Sequence, residues 1–291
     1  MTTKLSVTVR TDIGRVRKTN EDAFLFADLE KGRFESRAAV ERFEVSPRGA
    51  VLAVSDGMGG HKAGEVASAL TLEALYKSLT QNAPRGEADN RIKEAVVKAN
   101  QEVVAAGKRP SLANMGATLT AVLVDGGDAY IAEVGDSRAY LLRNGELRQL
   151  TEDQSFVQAM VKAGGMSPEE AAASSWRNVI LQAIGHESNL KVALGKLALR
   201  QRDLLILCSD GLTSLVSDDD LRAEILATTT LDDACDRLVA LANERGGTDN
   251  ITVLLAGVNG DLPAVQREER ISDTYNTLER FSSPRVVRGA S

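Results

Sequence analysis

The chain has 291 residues, enough to bury a sizeable core without disulfide or metal staples. Hydrophobic residues make up 43% and charged residues 26%, the ordinary balance of a globular protein, while aromatics at 4% leave the core to Val, Leu, Ile and Ala. A net charge of −6 counts against nucleic acid as the main partner, and two cysteines make no disulfide framework.

The N-terminus alternates Leu5, Val7 and Val9, which predicts a strand and not the apolar block of a secretion signal. Residues 4–10 and 22–27 read as strands. Residues 28–48 are charged and irregular, the pattern of a surface insertion or long hairpin. The run 50–55 is a short apolar strand. A helix is expected over 63–80, where Ala69, Leu72, Tyr76 and Leu79 recur at helical spacing, and a second over about 90–106, with Ile92, Val96, Ala99 and Val103 on one face.

Strands follow at 117–124, 128–134, 137–143 and 146–150, with Gly126-Gly127 and Asn144-Gly145 as hairpin turns. Residues 152–183 read as a small helical excursion. Within it, Ser167-Pro168-Glu169-Glu170 has a capping serine, proline at the first helical position and an acid three residues after the cap. Strands return at 190–199 and 203–208, helices at 218–227 and 231–244, and a last strand at 251–258. Residues 260–291 lack long apolar periodicity and read as a mobile tail, with room for a short helix near 264–281. Strands and helices come in blocks, which favours α+β over a doubly wound parallel sheet. No apolar run approaches the ~20 residues of a membrane helix. Cys208 and Cys235 read as small core hydrophobes. A cytoplasmic, reducing location is expected.

Five aspartates end or leave apolar strands: Asp22, Asp56, Asp136, Asp210 and Asp249. Burying a carboxylate at a strand end is unfavourable unless a cation offsets it. Oxygen-only donors select Mg²⁺, Mn²⁺ or Ca²⁺ over zinc, and with only His61 and His186 a His/Cys zinc site is poorly supplied. Gly57 and Gly211 follow two of the aspartates and suit tight bends. Two adjacent hard cations would serve displacement at phosphorus, for which a fixed arginine is the expected further part. Each piece alone has a plainer reading. Asp-Gly is commonly a turn, Gly59-Gly60 a loop, Arg17 a solvated charge.

The motifs stand in a telling order: Gly14-Arg15-Val16-Arg17-Lys18-Thr19-Asn20-Glu21-Asp22, Ser55-Asp56-Gly57-Met58-Gly59-Gly60-His61, Met115-Gly116-Ala117-Thr118, Val134-Gly135-Asp136-Ser137-Arg138, Ser209-Asp210-Gly211 and Thr248-Asp249-Asn250. Over residues 5–258 this resembles the metal-dependent serine/threonine protein phosphatases of the 2C type, in their bacterial form. The resemblance implies a four-layer α-β-β-α sandwich, two antiparallel sheets flanked by helix pairs. It implies a catalytic domain over 1–258, a flap at about 152–183 bordering the cleft, and a tail over 259–291. It implies two Mn²⁺ or Mg²⁺ ions held by Asp22, Asp56, Asp210 and Asp249, with Asp56 bridging and the Gly57 carbonyl on one ion. Asp136 matches a position that joins Asp210 at a third, weaker metal. Arg17 matches the phosphate-gripping arginine. Glu21 would act through bound water, and Asn250 behind the metal ligands.

Many members carry histidine where this chain has Met58, which has no proton to give. His61 is a candidate replacement, with a loop or helix-start role as its plainer reading, and His186 reads as surface or structural. Trp176 reads as packing within the flap, with a substrate-facing surface as its alternative. The implied activity is hydrolysis of phosphoserine and phosphothreonine in proteins, by direct attack of a metal-bridging hydroxide, opposing a bacterial serine/threonine kinase. A monomer without membrane or nucleic-acid partners is expected. Two rival readings are a catalytically silent phosphoprotein-binding module on the same fold and a metal-dependent nuclease. Intact carboxylates argue against the first and the acidic charge against the second.

Overall fold

A computed structural model of the chain describes residues 2–34, 40–59, 62–81 and 87–282. The chain opens with β1 (Thr3–Asp12), β2 (Asp22–Asp28), β3 (Gly32–Arg33), β4 (Glu41–Glu44) and β5 (Ala50–Met58). Two long helices follow, α1 (Lys62–Gln81) and α2 (Ala88–Ala106). A strand block comes next: β6 (Gly116–Ala117), β7 (Leu119–Asp125), β8 (Asp128–Val134), β9 (Arg138–Arg143) and β10 (Glu146–Gln149). The excursion holds α3 (Phe156–Lys162) and α4 (Pro168–Ala173). Then come β11 (Ala193–Ala198) and β12 (Leu204–Cys208), the helices α5 (Asp210–Thr213), α6 (Asp218–Leu226) and α7 (Leu231–Glu244), and finally β13 (Ile251–Gly260), α8 (Ile271–Thr274) and β14 (Tyr275–Glu279).

The strands form two sheets. One runs β10-β9-β12-β13-β1-β4 and the other β14-β11-β8-β7-β5-β2-β3, with β6 pairing on the end of β5. Neighbours pair antiparallel, as the hairpin turns implied. Period-two patterning separates three cores. Leu52 and Val54 of β5 face Leu205, Leu207 and Leu254 across the sandwich interior. Val51 and Ala53 turn the other way, onto Leu75, Ile92 and Val96 of α1 and α2. On the opposite outer face, Ile206 and Val253 meet Leu221 of α6 and Leu238 of α7. The layers are therefore helix, sheet, sheet, helix, as the resemblance implied. Both cysteines are buried and unpaired, consistent with packing as small hydrophobes.

Two segments differ from their sequence reading. Residues 28–48 are more than an insertion, because β3 extends one sheet and β4 pairs with β1 in the other. Between them the rings of Phe34 and Phe43 stack at 4.5 Å and continue to Phe26. Within the expected tail, described residues add secondary structure and core contacts. Leu262 and Ile271 are buried against the sandwich interior, and β14 pairs with β11. Thr274 also accepts a 2.6 Å bond from Arg143, whose guanidinium is buried in a two-bond ion pair with Asp203 at 2.7 Å. The apolar anchors are too widely spaced to show a period, so the sequence pattern concealed them.

Ile271→Ala is expected to lower unfolding free energy by about 2–4 kcal/mol in urea titration, as for other buried large-to-small changes. An unchanged midpoint would mean that this segment does not pack on the sandwich.

Candidate active site

Antiparallel pairing brings the start of one strand beside the end of the next. Asp22, first residue of β2, is thereby in register with Asp56 near the end of β5. In the other sheet, β12 pairs with β13, so Asp210 just past β12 lies beside Asp249 just before β13. Both pairs meet at the same end of the sandwich, where Ser209 Oγ spans the sheets and donates to Asp22 Oδ2 at 2.7 Å. Asp136 reaches the same end on the crossing from β8 to β9.

The backbone beneath is tightly fixed. Asp56 N–H donates to Thr118 Oγ1 at 2.9 Å, and Thr118 N–H returns a 2.8 Å bond to the Asp56 carbonyl. Thr118 Oγ1 lies 2.7 Å from Ser137 Oγ, linking Asp56 to the Asp136 crossing. Asn250 accepts from the Glu21 N–H at 2.8 Å and donates to the Ile13 and Thr19 carbonyls. Its role in the structure is to hold the loop that carries Glu21 and Asp22. The Glu21 carboxylate lies against Gly64 in the first turn of α1. At Gly57 a β-carbon would overlap the Gly64 carbonyl, and at Gly211 the Asn250 carbonyl. Only glycine permits these approaches, but neither glycine sits in the tight bend expected of it: Gly57 is a paired residue of β5 and Gly211 lies in α5.

The electrostatics follow from the crowding. Burial, then the charges of Asp210 and Asp249, push the Asp22 carboxyl up to about 7, against the bonds from Ser209 and Thr252. Burial and the neighbouring Asp22 and Asp210 raise Asp56 well above the usual carboxylate range. Burial and Asp249 raise Asp210, with a hydrogen bond to Asp56 opposing. Burial, Asp210 and Asp153 bring Asp136 to about 8. Asp22 Oδ1 and Asp210 Oδ1 are sealed from solvent with no hydrogen-bond partner. Oxygen donors of this kind fit a hard divalent cation. Even so, among the described residues no three His, Cys, Asp or Glu side chains already stand as a finished metal cage. Ser209 holds one Asp22 oxygen, and Arg17 holds Asp249 Oδ2 at 2.7 Å.

A cleft of about 460 Å³ leads from Asp136 and Asp210 to Ser155, Gln158, Pro168 and Arg177 of the excursion. Residues of the excursion therefore line one side of this cleft. Its capping box at Ser167 and Glu170 forms as the sequence indicated. Trp176 differs from its reading. It is 58% exposed, with its ring 5.7 Å from Phe156. His186 is exposed, as expected, and His61 lies outside the described residues. Met58 is the last residue of β5.

Sequence reasoning gave no role to Ser209, Thr118, Ser137 or Asp153. Asp153 grips Arg138 with two bonds, at 2.8 and 2.7 Å, in the wall of the cleft. The available signal was hydroxyl residues flanking each aspartate, in Ser55-Asp56, Asp136-Ser137 and Ser209-Asp210.

Fold and cleft together define an α+β sandwich with an oxygen-donor site suited to hard cations, beside a helical flap. Residues 38–252 match the family model for Protein phosphatase 2C. The chain is 37% identical over 250 residues to the serine/threonine phosphatase stp of Listeria monocytogenes, covering 84% of this chain and 93% of that protein. It is 39% identical over 261 residues to the serine/threonine protein phosphatase PstP of Mycobacterium tuberculosis, covering 89% of this chain and 46% of that protein. A crystal structure of the catalytic domain of PstP with two manganese ions superposes with a TM-score of 0.73, at 36% identity over 89% of this chain and all of that one. The chain belongs to the protein phosphatase 2C family.

The raised carboxyl groups set a pH dependence. Each holds its proton more tightly folded than unfolded, so its stabilising contribution is complete below the ordinary range near 4. It is lost as pH rises through about 7 at Asp22 and about 8 at Asp136. In chelator, the thermal midpoint should fall between about pH 5 and 8, and Asp136→Asn should flatten that fall. A midpoint that rises over the same range in chelator would contradict the charge crowding.

Proposed function

We propose that the chain is a metal-dependent phosphatase that removes phosphate from phosphoserine and phosphothreonine in other proteins. The observation that carries this reading is the meeting of Asp22, Asp56, Asp210 and Asp249 at one sandwich end, with Asp22 Oδ1 and Asp210 Oδ1 buried and unpartnered. Asp22, Asp56, Asp210, Asp249 and the Gly57 carbonyl would hold two Mn²⁺ or Mg²⁺ ions, with Asp56 between them. Asp136 with Asp210 would hold a third, weaker one. Such ions, when bound, activate water and neutralise charge on the phosphoryl oxygens.

The remaining roles fall to the chain itself. Arg17 is half exposed and uses one guanidinium nitrogen on Asp249, and its further donors could take a phosphate. Ser209 and Thr118 fix Asp22 and the Asp56 backbone, so the donors need little reorganisation when charge develops. The flap residues lining the cleft would meet the peptide around the phosphorylated residue. Met58 supplies no proton to the departing hydroxyl, and His61 retains its candidacy from the sequence.

Phosphoserine exists only where a kinase makes it, so the implied counterpart is a serine/threonine kinase. Among the described residues no helix is long and apolar enough to cross a membrane, and buried free cysteines fit a reducing, cytoplasmic setting.

Metal-dependent phosphate release from a phosphothreonine peptide tests the reading. Asp210→Asn should lower turnover at low Mn²⁺ on the order of 100-fold or more, with partial recovery at high Mn²⁺. Near wild-type turnover of Asp210→Asn at low metal would overturn the site. Arg17→Ala should raise KM about 10-fold or more, the loss of a charge-assisted bond. An unchanged KM would remove Arg17 from the phosphate.

A further inference from the structure

A second carboxylate lies buried on the flap side of the molecule, in a cavity separate from the cleft. Glu133 is the penultimate residue of β8, on the same strand face as Ala129 and Ile131, which pack in the sandwich interior. It is 3% exposed. Its Oε2 accepts from the Glu152 N–H at 3.1 Å, while Oε1 is sealed and has no hydrogen-bond partner. A carboxylate in this position is unfavourable unless something donates to it.

The charges around it do not supply that donor. Burial first, then Asp153, Glu152 and Asp136, push the Glu133 carboxyl up. Two nearby cations are engaged elsewhere, and Arg280 lines the same cavity without donating to Oε1. Lys162 pairs with Glu152 at 2.6 Å, and Arg138 pairs with Asp153. Glu133 lines a cavity of about 270 Å³ closed by Leu150, Gly195, Tyr275 and Arg280. One wall is the Tyr275 ring, fixed by a 2.5 Å bond from its hydroxyl to the Leu150 carbonyl. A buried acid, an aromatic wall and this small volume match the head of a compact cation.

We propose that this cavity is a binding site for a small organic cation, with a guanidinium or primary ammonium group seated on Glu133. The site is not the phosphate cleft, but the two share Asp153 as a wall. Through Asp153 and its two bonds to Arg138, an occupant there touches the frame of the cleft.

The test is calorimetric titration of the Mn²⁺-loaded full chain with agmatine, which carries both cationic groups. Saturable binding at one site per chain is expected. Glu133→Gln keeps the shape and the Glu152 contact, and should weaken binding about 10-fold or more. Asn178→Ala, in the wall of the phosphate cleft, should leave it unchanged. If Glu133→Gln fails to fold, Ala193→Leu, which fills the cavity from β11, should abolish binding instead. Absence of saturable binding to the wild-type chain would overturn the proposal and leave the cavity to water. Binding that resists whichever of the Glu133→Gln and Ala193→Leu chains fold, or that is lost on Asn178→Ala alone, would also overturn it by placing agmatine elsewhere.

Discussion

The structure depends on one electrostatic constraint: carboxylates from two separate sheets are held together at one end of the sandwich. Asp22 and Asp56 belong to one sheet, Asp210 and Asp249 to strand ends of the other. Apart from the Ser209–Asp22 bond and Arg17 on Asp249, little offsets their mutual repulsion. Three apolar cores fix the strands, and the strands fix the acids. Packing therefore holds like charges in contact, and divalent cations are the natural complement to that arrangement.

The same constraint explains the surrounding chemistry. Every aspartate leaves its strand beside a small or hydroxyl residue, because backbones must approach closely and each N–H needs an acceptor. Gly57 and Gly211 allow the approach. Thr118 and Asn250 accept backbone N–H bonds, Ser209 donates to Asp22, and Ser137 meets the Thr118 hydroxyl, together tying six segments into one floor. Arg138 and Asp153 extend that floor to the flap, so the flap meets the site through a fixed ion pair and not through loose contacts.

Much of this was readable from sequence, for definite physical reasons. Helix α7 fell where its periodicity placed it because it buries one clear face, and strand β8 fell where its flanking turn residues bounded it although both its faces are buried. The metal candidates were readable because a carboxylate ending an apolar strand stands out against its surroundings. Their assembly across two sheets was not, since register between distant strands leaves no local mark; the order of motifs supplied it through the family resemblance. Residues 271–279 were missed because Ile271 and Thr274 anchor a short segment with no repeating pattern. Trp176 misled because a lone tryptophan ordinarily packs, whereas here it is largely exposed, with the Phe156 ring beside it. Asp153 was invisible because its partner Arg138 lies fifteen residues away on another element.

The most direct measurement is the stoichiometry of Mn²⁺ binding to the metal-stripped chain, read by calorimetry, with Asp56→Asn alongside. Two tightly bound ions per chain, with tight binding lost in Asp56→Asn, is the predicted result. No tight binding, or binding of the same strength and number in Asp56→Asn, would contradict the claim that the paired strand ends form the catalytic metal site.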